Sequence, residues 1–206
     1  MPPSLIVYFD YKSPYAFVAK GPIYQLEKDF EFEVEWRPYT LHISDFLGTV
    51  DVDENGKIVG GTRNKHQWRR TRYLYMDARR LARDTGQDLM IKGPARVYES
   101  RTAHIGTLYA QKQGIFRAYH DLVFDRFWKR ELDIDDADAV AAIIAEAGGA
   151  AAAFKVYLAG GGLREHDAVI EQANEIGIFG VPSFVVDGEL FWGNEHLPSI
   201  RNRLSA

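Results

Sequence analysis

Residues Leu5 to Phe9 are all apolar, and Ser13-Pro14 follows four positions later. No other stretch limits the fold as much as this succession. An uninterrupted apolar run of that length suits a strand covered on both faces, as in the middle of a sheet packed between helices. Ser13 is a favoured helix N-cap and Pro14 a favoured first helical residue, because the hydroxyl satisfies a free amide and proline lacks the hydrogen that would be orphaned there. A hydroxyl is thereby set at the positive end of a helix, where first-turn amides and summed peptide dipoles favour an anion. Read alone, the segment fits an ordinary cap better than a functional site.

Beyond Ser13 the apolar spacing of Tyr15, Val18, Ile23, Tyr24 and Leu26 predicts a helix to about Lys28, bent at Gly21-Pro22. Phe30 to Arg37 alternates, with Phe30, Phe32, Val34 and Trp36 on one side and Glu31, Glu33 and Glu35 on the other. That predicts a half-exposed strand near a sheet edge and completes the opening of a right-handed βαβ unit. Asp51, Asp53, Asn55 and Gly56 match the first half of a calcium loop, but Thr62 stands where a bidentate carboxylate is needed. A hairpin turned at Asn55-Gly56 between 50–52 and 58–59 is the preferred reading, with no metal.

From Thr62 to Ile176 the pattern is helical almost throughout. Candidate helices cover 62–84, 95–112, 115–129, 135–147, 150–159 and 165–176, divided mainly by glycines and Pro94. The first carries Arg63, Lys65, Arg69, Arg70, Arg72, Arg79, Arg80 and Arg83, with Trp68 and Tyr73 among them. Such interleaving can bind nucleic acid. The chain's net charge of -4 instead favours a solvated face with one or two arginines aimed at a small anion. The chain then returns to a sheet, with a strand Ser183–Val186, a turn at Asp187-Gly188, a strand Glu189–Trp192 and a closing helix from about Asn194.

The chain contains no cysteine. That excludes a disulfide framework, a thiolate zinc site, an iron–sulfur cluster and dithiol redox chemistry. Any sulfur chemistry must use a thiol brought from outside. The first apolar run lacks a basic segment before it and ends at Asp10, and no stretch approaches the ~18 apolar residues of a membrane span. A cytoplasmic location without membrane association is expected.

Ser13-Pro14-Tyr15 after the first strand, the pattern GxFGVPxFVVDGxxFWG from Gly177 to Gly193, and the helical stretch between them together resemble a known family. It comprises the 2-hydroxychromene-2-carboxylate isomerases and kappa-class glutathione transferases, within the DsbA-like thioredoxin superfamily. The resemblance implies an α/β, thioredoxin-like fold (1–61 and 177–206) with an inserted all-helical domain (62–176), usually in a homodimer. It also implies glutathione as the source of the missing thiol. Its sulfur would lie near Ser13, where thioredoxin-like proteins hold their nucleophilic cysteine. Pro182 would be a cis-proline presenting Val181 to the cysteinyl backbone of glutathione. Asn194 and Glu195 would meet the γ-glutamyl end, and Arg70 would supply a cation. Family members often have aspartate and arginine where Glu195 and His196 stand, and lysine in place of Arg70. The implied activity is glutathione-dependent isomerisation of an aromatic hydroxychromene or benzylidenepyruvate-like acid. Arg70 or Lys12 would steer its carboxylate, and Tyr11, Phe46, Trp68 and Trp128 are candidates for an apolar wall. Two alternatives stand beside it: a kappa-like transferase, and a non-catalytic thioredoxin-like binding module.

Overall fold

The computed structural model describes residues 4–53 and 57–205. In chain order its elements are β1 (Leu5–Phe9), α1 (Pro14–Phe30), β2 (Glu35–Pro38), α2 (Ile43–Leu47), β3 (Asp51–Val52), β4 (Ile58–Gly60), α3 (Lys65–Asp84), α4 (Arg101–Lys112), α5 (Phe116–Lys129), α6 (Ala137–Glu146), α7 (Ala151–Ala159), α8 (Gly161–Ile176), β5 (Ser183–Val186) and β6 (Glu189–Trp192). A 3₁₀ turn (Asn194–His196) and α9 (Leu197–Leu204) close the chain. Among the described residues, no helix is long and apolar enough to cross a membrane.

The opening apolar run becomes an interior strand of a four-stranded sheet ordered β2-β1-β5-β6. Val7 lies opposite Trp36 in the parallel β1–β2 pair and opposite Phe184 in the antiparallel β1–β5 pair. Val7, Tyr8 and Phe9 are fully buried. Phe9 meets Tyr11 and Trp36 edge-on, and Phe17 of α1 stacks on Phe124 of α5 with ring centroids 5.3 Å apart. Burying each such aromatic contributes roughly 1.5–3 kcal/mol, so sheet, α1 and the later helices share one core. At the β2 edge, Gln111 of α4 donates to the Trp36 carbonyl at 2.7 Å, which blunts an otherwise open edge.

Three expectations are corrected. The alternation from Phe30 is not strand throughout: α1 continues through Gly21-Pro22 to Phe30, closes on Glu31 in the left-handed region (φ 53), and pairing with β1 begins only near Glu35. Apolar Phe30 belongs to the last helical turn, and the period-two pattern overlaps it by coincidence. The helix expected from residue 95 starts at Arg101, because Tyr98 packs edge-on to Phe127 and Arg96 binds Asp133 and Asp135, holding that segment irregular. The helix expected from 165 starts at Gly161. There glycine is required by packing, since a Cβ on Gly162 would come within 2.5 Å of Ile105 of α4. Strands β3 and β4 pair antiparallel as a hairpin would, and the proposed turn at Asn55-Gly56 lies outside the described residues.

Candidate active site

Ser13 caps α1 as its position in the sequence requires: its Oγ accepts the Ala16 N–H at 3.2 Å. The same hydroxyl donates to the Val181 carbonyl at 3.3 Å, joining residues far apart in the chain. The Val181–Pro182 peptide bond is cis. Two hydrogen bonds frame the loop: Gly193 N–H to the Pro182 carbonyl at 3.0 Å, and Ser183 Oγ to the Gly180 carbonyl at 2.7 Å. Among the described residues the Val181 N–H has no backbone acceptor. An unpaired amide beside a carbonyl suits an extended peptide docking as an extra strand.

Ser13 and the cis loop form one wall of a cavity of about 1250 Å³, and α2, α3 and the 3₁₀ turn form others. Of the residues singled out from sequence, Lys12, Ser13, Phe46, Trp68, Arg70, Val181, Pro182, Asn194 and Glu195 all line it. Asn194 Nδ2 donates to the Tyr15 carbonyl at 3.0 Å, while its Oδ1 is buried without a partner. A buried orphan acceptor is costly unless a ligand donor reaches it. Glu195 is exposed beside it.

Tyr11 and Trp128 are not cavity residues. Both are fully buried. The Tyr11 hydroxyl bonds Thr107 at 2.8 Å and His120 at 3.2 Å, and Trp128 stacks on Phe17, so both side chains serve the core. Lys12 lines the cavity with its ammonium held in place, since its Nζ donates to the Leu41 carbonyl at 2.8 Å and lies 3.7 Å from Asp10 Oδ2.

Other cavity residues were not singled out individually from the sequence. Arg63 reaches the cavity from just before α3, donating to the Leu47 carbonyl at 2.7 Å and lying over Trp68. Arg72, Arg96 and Arg130 also line it, so with Lys12 and Arg70 the wall carries six cations against the two acids Asp77 and Glu195. In an acidic chain this is a local positive field that draws anions. Among the described residues Arg70 and Arg72 show no hydrogen bond or ion pair, whereas Arg96 is paired with Asp133 and Asp135. Tyr75 lines the cavity too, and burial pushes its phenol up to about 12 against the lowering pull of Arg63, Arg79 and Arg130. It remains a proton donor across the working range. The arginine run was a visible signal; Tyr75 had none.

The fold and site together define a thioredoxin-type protein with a serine capping its first helix opposite a cis-proline loop. The chain belongs to the DSBA-like thioredoxin domain family, which matches residues 4–205. A relative named 2-hydroxychromene-2-carboxylate isomerase from Pseudomonas putida is 28% identical over 193 residues, covering 92% of this chain and 88% of the relative. A solved structure of a 2-hydroxychromene-2-carboxylate isomerase superposes with a TM-score of 0.77 at 24% identity, covering 98% of this chain and 94% of that one. The cytosolic disulfide reductase DsbM from Pseudomonas aeruginosa, solved with GSH, superposes with a TM-score of 0.67 at 17% identity, covering 98% and 97%.

Proposed function

We propose that the protein is a glutathione-dependent isomerase of the 2-hydroxychromene-2-carboxylate isomerase type, acting on an aromatic conjugated keto acid or its cyclic hemiketal. The observation that carries this reading is the Ser13 hydroxyl, held at the N-terminus of α1 and 3.3 Å from the Val181 carbonyl, on the wall of a cation-lined cavity in a chain without cysteine. The relatives' names and the neighbour solved with GSH support the same substrate and thiol.

The residues present fit glutathione. Val181 offers an unpaired N–H and a carbonyl to its cysteinyl backbone, the orphan Asn194 Oδ1 and Glu195 suit its ammonium, and Arg70 suits a carboxylate. When bound, glutathione would supply a thiolate able to add reversibly to a conjugated carbon and so permit rotation about the former double bond. Ser13 has one hydroxyl hydrogen, which turns from the Val181 carbonyl to the sulfur. The helix N-terminus and that hydrogen bond both favour thiolate over thiol. Tyr75 stays protonated and can donate to an oxygen that gains charge during addition.

The test is turnover of hydroxychromene carboxylate with and without glutathione, beside an assay with a chlorodinitrobenzene-type electrophile. The account expects isomer formation that requires glutathione without consuming it. A stable adduct without isomer turnover points to a kappa-like transferase and contradicts it.

A further inference from the structure

Asp10 and Lys12, immediately before Ser13, sit in a buried polar network that the proposed chemistry has not yet used. Their side chains are 0% and 4% exposed. Asp10 Oδ1 accepts the Lys12 N–H at 3.0 Å, and Oδ2 accepts the Leu41 N–H at 2.8 Å. Behind Asp10, His104 Nε2 lies 3.4 Å from Oδ1, and His104 Nδ1 lies 2.8 Å from Thr40 Oγ1, which is 3.0 Å from His166 Nε2. A hydroxyl carries one hydrogen, so Thr40 donates to one imidazole and accepts from the other. An ionised Asp10 favours the hydrogen on His104 Nε2. Thr40 then donates to His104 and accepts from His166, and every donor in the chain points toward Asp10. Burial raises the Asp10 carboxyl, but the Lys12 ammonium, the His104 hydrogen bond and the Leu41 amide outweigh it and hold the group well below the usual carboxylate range.

We propose that Lys12 anchors the carboxylate of the aromatic substrate, and that Asp10, backed by His104, Thr40 and His166, is the positioning residue that holds the Lys12 ammonium at the cavity wall. The substrate class rests on the function proposed above; the geometry does not. An ammonium has three donors. One goes to the Leu41 carbonyl and one faces Asp10, and among the described residues the third has no acceptor. Leu41 begins the segment whose Ile43, Phe46 and Leu47 also line the cavity. A fixed charge beside apolar side chains is an arrangement that recognises an aromatic ring carrying a carboxylate. Ser13 faces the cis loop through Val181, so glutathione and the acid would flank its hydroxyl. Arg70 and Arg72 are exposed and unanchored, and salt screens them. They suit capture rather than fixed placement.

The experiment is calorimetric binding to the full chain of three ligands separately: benzylidenepyruvate, its uncharged counterpart benzylideneacetone, and glutathione. Loss of a charge-assisted hydrogen bond predicts that Lys12→Met weakens benzylidenepyruvate by about tenfold or more. Benzylideneacetone and glutathione should stay within about twofold, since neither loses that bond. Lys12→Arg should recover part of the loss, and Asp10→Asn should weaken benzylidenepyruvate selectively. If Lys12→Met binds the acid as tightly as the wild type, or loses all three ligands together, the proposal is wrong. Wild-type protein that binds glutathione but not the acid also overturns it. Protein that binds the acid through Lys12 but not glutathione supports it and defeats the glutathione reading alone.

Discussion

The two long walls of the cavity are built in opposite ways. On the sheet side, Ser13 and Val181 are 5% and 7% exposed and bonded to each other, and the cis loop is pinned by two further hydrogen bonds. On the other side, α3 buries only Thr71, Ala78 and Ala82, and its Arg70 and Arg72 reach the cavity without partners. Tyr15 of α1 ties the two walls together, donating to Asp77 of α3 at 2.8 Å. A buried, over-determined wall can hold a reacting atom to the accuracy that catalysis needs. An exposed wall of long side chains can adapt to what enters. The difference suits the first wall to chemistry and fixed placement and the second to capture of anions.

The largest effect should come from the fixed wall. Ser13→Ala removes both the proposed thiolate donor and the cap, so kcat should fall by roughly 100-fold or more, as for loss of a positioned oxyanion donor. Stability should fall by only about 1 kcal/mol for the cap. Steady-state kinetics with urea unfolding separates the two, and unchanged kcat would break the contrast between the walls.

Acid sharpens it next. Burial pushes His166 down to about 4 and holds His120 well below its usual 6.5. Between the folded and unfolded values the unfolded chain binds more protons. The stability these residues contribute is therefore complete above about pH 6.5 and is lost as pH falls toward 4, by about 1–3 kcal/mol for His166. Urea midpoints measured across that range check it.

A smaller effect belongs to the open wall. Arg70→Ala should raise the KM for glutathione by about threefold to tenfold with kcat nearly unchanged, and added salt should shrink the difference because exposed charges are screened. Arg83→Ala, on the same helix but away from the cavity, should change stability by less than about 0.5 kcal/mol and leave KM alone. Equal effects from Arg70 and Arg83 would mean that α3 contributes only general charge.

Much of the fixed wall could be read from the sequence because its signals are local. An apolar run, a serine before a proline and the Gly177–Gly193 pattern named the strand, the cap and the loop, and the cis bond at Val181–Pro182 followed from the resemblance. What failed was non-local. Tyr11 and Trp128 looked like pocket aromatics until α5 placed His120 and Phe124 beside Tyr11 and stacked Trp128 on Phe17. The Asp10 network could not be seen in advance, since Thr40 meets His104 and His166 from 64 and 126 positions away. Phe30 misled because one residue satisfied a helical and an alternating pattern at once.

The central assertion is that Ser13 holds an external thiol in its ionised form. Ultraviolet titration of the thiolate absorbance of glutathione bound to the wild type and to Ser13→Ala tests it directly. The account predicts that the bound thiol ionises at lower pH than free glutathione and that the substitution abolishes most of that shift. A bound thiol that titrates like the free tripeptide in both proteins would contradict it.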